Sequence, residues 1–146
     1  MSREILLDLW TRWWDHDIWI TPWSKAIDGL TAQQAAWQPA KDRHSIWQNV
    51  VHVTFWRTYT LTVIAGKPKL SKSEVEAANF PLPAKVDEAS WRAAKAALKD
   101  SHERIRAALA DSGTPLDRLK HHLAHDAYHL GQIMQLRGLQ GLPAIV

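Results

Sequence analysis

The chain holds eight histidines in 146 residues, and four of them fall within HHLAHDAYHLGQ, His121 to Gln132. Consecutive residues of a helix turn by about 100°. With Leu119 at the centre of a buried face, Leu123, Asp126, Leu130, Ile133 and Met134 fall near it. His122, His125 and His129 border that face, and His121 points nearly away from it, toward solvent. His125 and His129 are i, i+4 neighbours, so their Cβ atoms lie about 5–6 Å apart. That spacing lets two imidazoles reach one metal ion. His125-Asp126-Ala127-Tyr128-His129 copies the HExxH zinc motif with Asp in place of Glu. The copy fails as a zinc-protease site, because Asp is one methylene shorter as a base and no His, Asp or Glu follows His129 to complete the ligand set.

A third ligand therefore has to come from upstream, and His52 is the best candidate. It sits in NVVHVTFW, inside an otherwise apolar stretch. A charged or unpaired imidazole is costly there, whereas a neutral one that ligates a metal and hydrogen-bonds through its other nitrogen is satisfied. Gln48, Trp56, Tyr59 and Val63 share its stripe and offer pocket surface. The same three histidines can also be read as satisfied core residues. His44 and His102 read as surface or capping positions. So does His16, although WWDHDIW could turn it, and with it Asp15, toward the same pocket. Gly131 inside a helix costs about 1 kcal/mol against alanine, which suggests that a helix or a ligand packs closely beside it.

The elements that must hold these residues read as helices. No stretch keeps strand alternation for long, so the expected class is all-α. A first helix starts at Ser2 or Arg3 and runs to Gly29, disturbed at Thr21-Pro22. Thr31 caps a short piece through Trp37. Ser45, a good N-cap residue, opens a second long helix to Ala65. Its segment IWQNVVHVTFWRTYTLTVIA is apolar on most of its circumference, which predicts a central, buried position. A connection from Gly66 to about Val86 follows, long enough to cross back along that helix, so helices two and three can be parallel neighbours. The third helix, Asp87 to Ala110, carries the stripe Trp91, Ala94, Leu98, Ile105 and Leu109. Thr114-Pro115-Leu116-Asp117 is a strong start signal for a fourth, which runs to about Arg137. Four helices make a bundle, expected as one domain over residues 1–146.

Composition narrows the chemistry. The absence of cysteine excludes disulfides, thiolate metal sites and Cys nucleophiles. The net charge is +3 with a pI near 9.3. The charges are interspersed and no basic stripe or helix-turn-helix pattern stands out, so no nucleic-acid partner is expected. Glu4 and Asp8 interrupt any apolar leader, and no 18-residue apolar run occurs, so the expectation is a soluble, cytoplasmic protein without a membrane partner. Nine tryptophans can fill a core or line a pocket.

HSIWQNVVHVTFWR, DEASWRAAKAALKDSHERIRAAL and LAHDAYHLGQIMQLRGLQG, in this order, resemble the DinB/YfiT-like superfamily over about Gly29 to Gly141. The resemblance implies a four-helix bundle of up-down-down-up topology, with a long crossover between helices two and three. It implies a divalent metal, zinc or nickel, held by His52, His125 and His129; the spacing of the residues themselves adds His16, Trp56, Tyr59 and His122 as possible pocket residues. It also implies a homodimer. Some members are S-transferases or isomerases that use low-molecular-weight thiols such as bacillithiol or mycothiol. The expected activity is thus a metal-dependent transfer in which a bound thiol attacks an electrophile. The alternatives are a hydrolase using metal-bound water, for which Asp126 faces the core and Asp15 is the remaining base, and a non-enzymatic metal-binding stress protein.

The helix register makes a direct prediction. His52→Ala, His125→Ala and His129→Ala should each lose bound metal by elemental analysis of untagged protein, and His121→Ala should keep it. Loss in His122→Ala with retention in His125→Ala would overturn the register.

Overall fold

The computed structural model describes residues 2–145; Met1 and Val146, the ends of the expected domain, lie outside the described residues. Local capping sets most helix starts. Ser2 caps α1 (Arg3–Arg12), and α2 (Trp23–Ala26) follows Pro22. Reciprocal capping boxes open α3 (Ala32–Ala36) through Thr31 and Gln34, α4 (Ile46–Ile64) through Ser45 and Gln48, and α5 (Lys72–Asn79) through Ser71 and Glu74. The Asp87 carboxylate accepts the Ser90 N–H at 2.7 Å and starts α6 (Glu88–Ala110). α7 (Leu116–Leu119) and α8 (His121–Leu139) complete the chain, and the described residues contain no strand.

Three of these elements depart from the sequence-based expectation. The first helix stops at Arg12 rather than Gly29. The chain then turns through Trp13 to Thr21, and Trp19 takes φ 75°. Thr114 does not cap the last helical region: its hydroxyl bonds the Asp111 carboxylate at 2.7 Å, and Pro115 is the cap residue. The crossover is not structureless, because the Ser71–Glu74 capping box folds its middle into α5.

Contact pairs give the helix directions. Trp47 meets Trp91 at 5.1 Å between ring centroids, and further along Arg57 reaches Leu98 and Ser101, so α4 and α6 run parallel. Asn49, His52, Arg57 and Thr60 of α4 meet His129, His125, Asp126 and His122 of α8, which makes those two antiparallel. Arg3 bonds the Leu109 carbonyl and Trp10 the His102 carbonyl, so α1 opposes α6.

Two apolar clusters fill the interior. The larger joins Trp13, Trp23, Ile46, Trp47, Val50, Val53, Trp91, Leu98, Leu130 and Ile133; the smaller joins Leu6, Trp10, Ile105, Leu109 and Leu119. The α6 stripe read from the sequence is buried at Trp91, Leu98, Ile105 and Leu109. Arg57, the single charge of α4, is fully buried. Its guanidinium pairs with Asp126 and bonds the Leu98 carbonyl at 3.2 Å and the Ser101 hydroxyl at 3.1 Å. It also lies 5.0 Å from the Trp10 ring and 5.2 Å from Trp23. Burial opposes ionisation of Asp126, yet the facing guanidinium holds its carboxyl below the ordinary value.

His102 is not the surface residue expected. It lies on the α6 stripe, one turn from both Leu98 and Ile105, and is 1% exposed. Its ring stacks on Trp10 at 5.0 Å, and neither ring nitrogen has a hydrogen-bond partner. Burial, reinforced by the Arg57 charge, pushes its pKa down to about 4. Between about pH 6.5 and 4 the unfolded chain protonates this residue and the folded chain does not, so stability falls as the pH falls through that window. The loss attributable to His102 is on the order of 3 kcal/mol. His102→Phe keeps the stack and removes the proton site. Thermal melts should show a smaller drop in Tm from pH 7 to pH 4.5 than in the wild type; an unchanged drop would refute the assignment.

Candidate metal centre

The antiparallel crossing of α4 and α8 brings His52, His125 and His129 together. One ring nitrogen from each lies within 4.8 Å of the others. His52 and His129 are buried, and His125 is half-buried. The Nε2 atoms of His52 and His125 are 3.0 Å apart.

The surroundings fix two of the three imidazoles chemically. His52 Nδ1 lies 3.0 Å from the Asn79 carbonyl, which can only accept, so Nδ1 carries the proton and Nε2 keeps its lone pair. Asn49 gives its amide N–H to the Ser45 carbonyl at 2.9 Å, which turns its Oδ1 toward His129 Nδ1 at 2.7 Å. His129 therefore also donates from Nδ1 and presents the lone pair of Nε2. This orientation by outer partners is what a metal-ligating histidine requires. Burial pushes the pKa of His52 down to about 4 and that of His129 down to about 3, with the neighbouring imidazoles adding to both shifts. Both rings are neutral at pH 7, the state that ligates. The donor set, three imidazoles and no thiolate, fits a divalent cation.

The chain segment 66–86 supplies much of the frame. Tyr59 Oη accepts the Leu70 N–H at 3.2 Å and tethers the start of this segment. At the far end of α5, Asn79 bonds both His52 and the Trp56 indole, and Gln48 donates to the Phe80 carbonyl. The Phe80 ring sits between His44 and His52, with centroid distances of 3.7 and 3.9 Å and nearly parallel planes.

The three imidazoles open onto a cavity of about 880 Å³. Trp56, Phe80 and Tyr128 form apolar walls, and His122, Thr60 and Gln132 add polar atoms. Arg118 and His121 line it from exposed positions. His122 is buried, bonds Thr60 through Nε2 at 3.1 Å, and has its pKa lowered to about 4 by burial. His121 is exposed, as its register demanded, but it faces the cavity mouth.

Several expected pocket residues lie elsewhere. His16 is exposed, 2.6 Å from the Asp15 carboxylate, and neither residue lines the cavity. The cause is the early end of α1, which carries WWDHDIW along the α6 side, where Trp14 contacts His102. Tyr59 stacks on Phe55 and holds Leu70 instead of lining the cavity. A Cβ added at Gly131 would meet nothing within 4 Å, so no close neighbour explains that glycine. His122, His125 and Asp126 form a second cluster with ligand-like spacing, but the Arg57 guanidinium already neutralises its carboxylate.

The DinB superfamily model matches residues 22–133. The chain belongs to the DinB superfamily. No curated protein and no solved structure matches it significantly. The superfamily match spans α2 to most of α8, and so includes all three histidines and the residues that orient them.

Asn49, Asn79 and Phe80 were not singled out from the sequence. Asn49 carried a signal: it is an amide in the apolar first half of the helix, one turn before His52. Asn79 acts on His52 through its backbone carbonyl, and side-chain type says nothing about such a contact. Removing the Asn49 carbonyl should release the His129 tautomer. Asn49→Leu is expected to bind divalent metal about 10–100-fold more weakly than the wild type by competition with a chromogenic chelator. Unchanged affinity would show that Asn49 does not orient His129.

Proposed function

We propose that this DinB-superfamily protein is a metal-dependent S-transferase that activates a low-molecular-weight thiol for attack on an electrophile. The observation that supports this most is three clustered imidazoles, two of them kept neutral by burial and none replaced by a carboxylate, facing an aromatic-walled cavity. A divalent cation held there, zinc or nickel, would stabilise a thiolate at neutral pH. His52, His125 and His129 would hold the ion, and the Asn79 carbonyl and Asn49 side chain keep two of the lone pairs aimed. Trp56, Phe80 and Tyr128 would receive the apolar part of the electrophile and exclude water from it.

The hydrolase alternative requires a general base, and each carboxylate near the cavity faces a cation. Asp126 pairs with Arg57, and Asp117 at the rim lies 3.1 Å from the Lys120 ammonium. A thiol needs only to ionise. That difference favours thiol transfer over water activation. On the same reading the protein is a single-domain, up-down-down-up four-helix bundle, supported by the directions of α1, α4, α6 and α8. It works as a cytoplasmic homodimer, where small thiols are kept reduced, without nucleic-acid or membrane partners. No helix among the described residues is long and apolar enough to cross a membrane.

The test is a panel of small thiols, including bacillithiol, mycothiol and glutathione, each with a chromogenic electrophile. Zinc- or nickel-loaded protein should accelerate consumption of at least one thiol, and chelation or His52→Ala should abolish the acceleration. Ester or amide cleavage that needs no thiol and is lost on chelation would favour the hydrolase. Chelation that lowers Tm sharply, with no activity in either screen, would favour a metal-binding protein without catalysis.

A further inference from the structure

Two of the three clustered imidazoles have a partner for Nδ1, and the third does not. His125 Nδ1 is buried and unpaired, and so is Asp126 Oδ1, 3.7 Å away. The other carboxylate oxygen of Asp126 is bound by Arg57. The orphan atoms are thus a ring nitrogen and a carboxylate oxygen, adjacent to each other, with His122, whose Nε2 is bonded to Thr60, the third member of the cluster.

The tautomers explain why they do not bond. His52 keeps its proton on Nδ1 for the Asn79 carbonyl, so its Nε2 can only accept. In the 3.0 Å contact between the two Nε2 atoms, His125 must then be the donor. A neutral His125 that donates from Nε2 has a bare lone pair at Nδ1. That lone pair faces the lone pairs of Asp126 Oδ1, and the two repel. For His125 to offer Nε2 to a cation, its proton has to leave Nε2. Asp126 Oδ1 is the acceptor beside Nδ1, where the proton would be welcome.

We propose that Asp126, held in place by Arg57, is the positioning residue for His125: its Oδ1 accepts the Nδ1–H of His125 when Nε2 becomes a ligand. The proton leaves Nε2 and is regained at Nδ1 through solvent, so the number of ring protons is unchanged. Each imidazole then has its own anchor: a backbone carbonyl for His52, an amide oxygen for His129 and a carboxylate for His125. The carboxylate is the one anionic anchor of the three. Arg57 has a second effect here. Its bond to the other oxygen keeps Asp126 from turning away, and its charge disfavours a cation in the His122–His125–Asp126 cluster. The proposal rests on the metal reading of the site given above.

Long-range 1H–15N spectra of histidine side chains read the proton positions directly, in metal-free and zinc-loaded protein. His52 and His129 should be protonated on Nδ1 in both states. His125 should change from Nε2–H to Nδ1–H on loading, with a strongly downfield Nδ1 proton. Removing Asp126 alone would strand the Arg57 charge in the core, so the variants are paired. Arg57→Met with Asp126→Leu leaves two apolar side chains and should weaken zinc binding about 10–100-fold. Arg57→Met with Asp126→Asn restores a neutral oxygen and should recover part of that loss. Equal affinity in the two double variants would mean that the oxygen has no role beyond packing, and would overturn the proposal. So would zinc bound to the wild type with His125 still protonated on Nε2. If zinc fails to bind the wild type at all, the metal reading falls and this proposal with it.

Discussion

The arrangement of this protein depends on one buried ion pair. Arg57 of α4 and Asp126 of α8 meet in the interior, and the same guanidinium bonds Leu98 and Ser101 of α6 and lies against the rings of Trp10 and Trp23. Five helices thus converge on one cation. Such a pair is not a free gain in stability, since both charges lose their water. Its geometry is nonetheless specific. If α4 slid along α8 by one turn, both charges would be stranded in an apolar core, at a cost of about 3–5 kcal/mol for an unpaired partner. The pair therefore fixes the register between the two helices that carry the histidines. His52 is five residues before Arg57 and His125 one residue before Asp126, so the register that joins the charges also joins the rings.

A second constraint acts on the rings themselves. Three imidazoles close together in a partly apolar site cannot all be charged, and burial keeps His52 and His129 neutral far below physiological pH. Neutral rings still have to choose which nitrogen bears the proton. The Asn79 carbonyl and the Asn49 side chain make that choice for two of them. One anchor comes from within α4 and the other from the segment that crosses between α4 and α6. The crossover is thereby part of the site: it orients His52, stacks Phe80 against it, and supplies one wall of the cavity.

Much of this frame was legible in the chain. The capping residues Thr31 and Ser45 marked two helix starts, because a cap is a contact within a few residues. The i, i+4 spacing of His125 and His129 placed them on one face, and the isolation of His52 in an apolar helix marked it as unusual. Other features were harder to see. Arg57 was not singled out, although a charge in an apolar run needs a partner as much as a histidine does. His102 was assigned to the surface although its spacing from Leu98 and Ile105 put it on the buried stripe. His16 and Tyr59 were drawn toward the site by their residue types, and chain geometry sends both elsewhere. The early end of α1 was invisible, since Trp13, Trp14 and Ile18 continue an apolar pattern that the backbone does not follow.

By itself the sequence determined the all-helical class, the caps, the buried stripes and the ligand-like pair on the last helix. All of these depend on interactions between residues a few positions apart, which periodicity and residue type encode. The tertiary structure decided which polar atoms meet: Arg57 with Asp126, His52 with the Asn79 carbonyl, His129 with Asn49, and Phe80 with two imidazoles. It also decided which nitrogen each of two rings presents to the cavity. Those outcomes turn on the direction of single hydrogen bonds between distant segments, one of them to a backbone carbonyl that every residue type shares, so no local pattern can carry them.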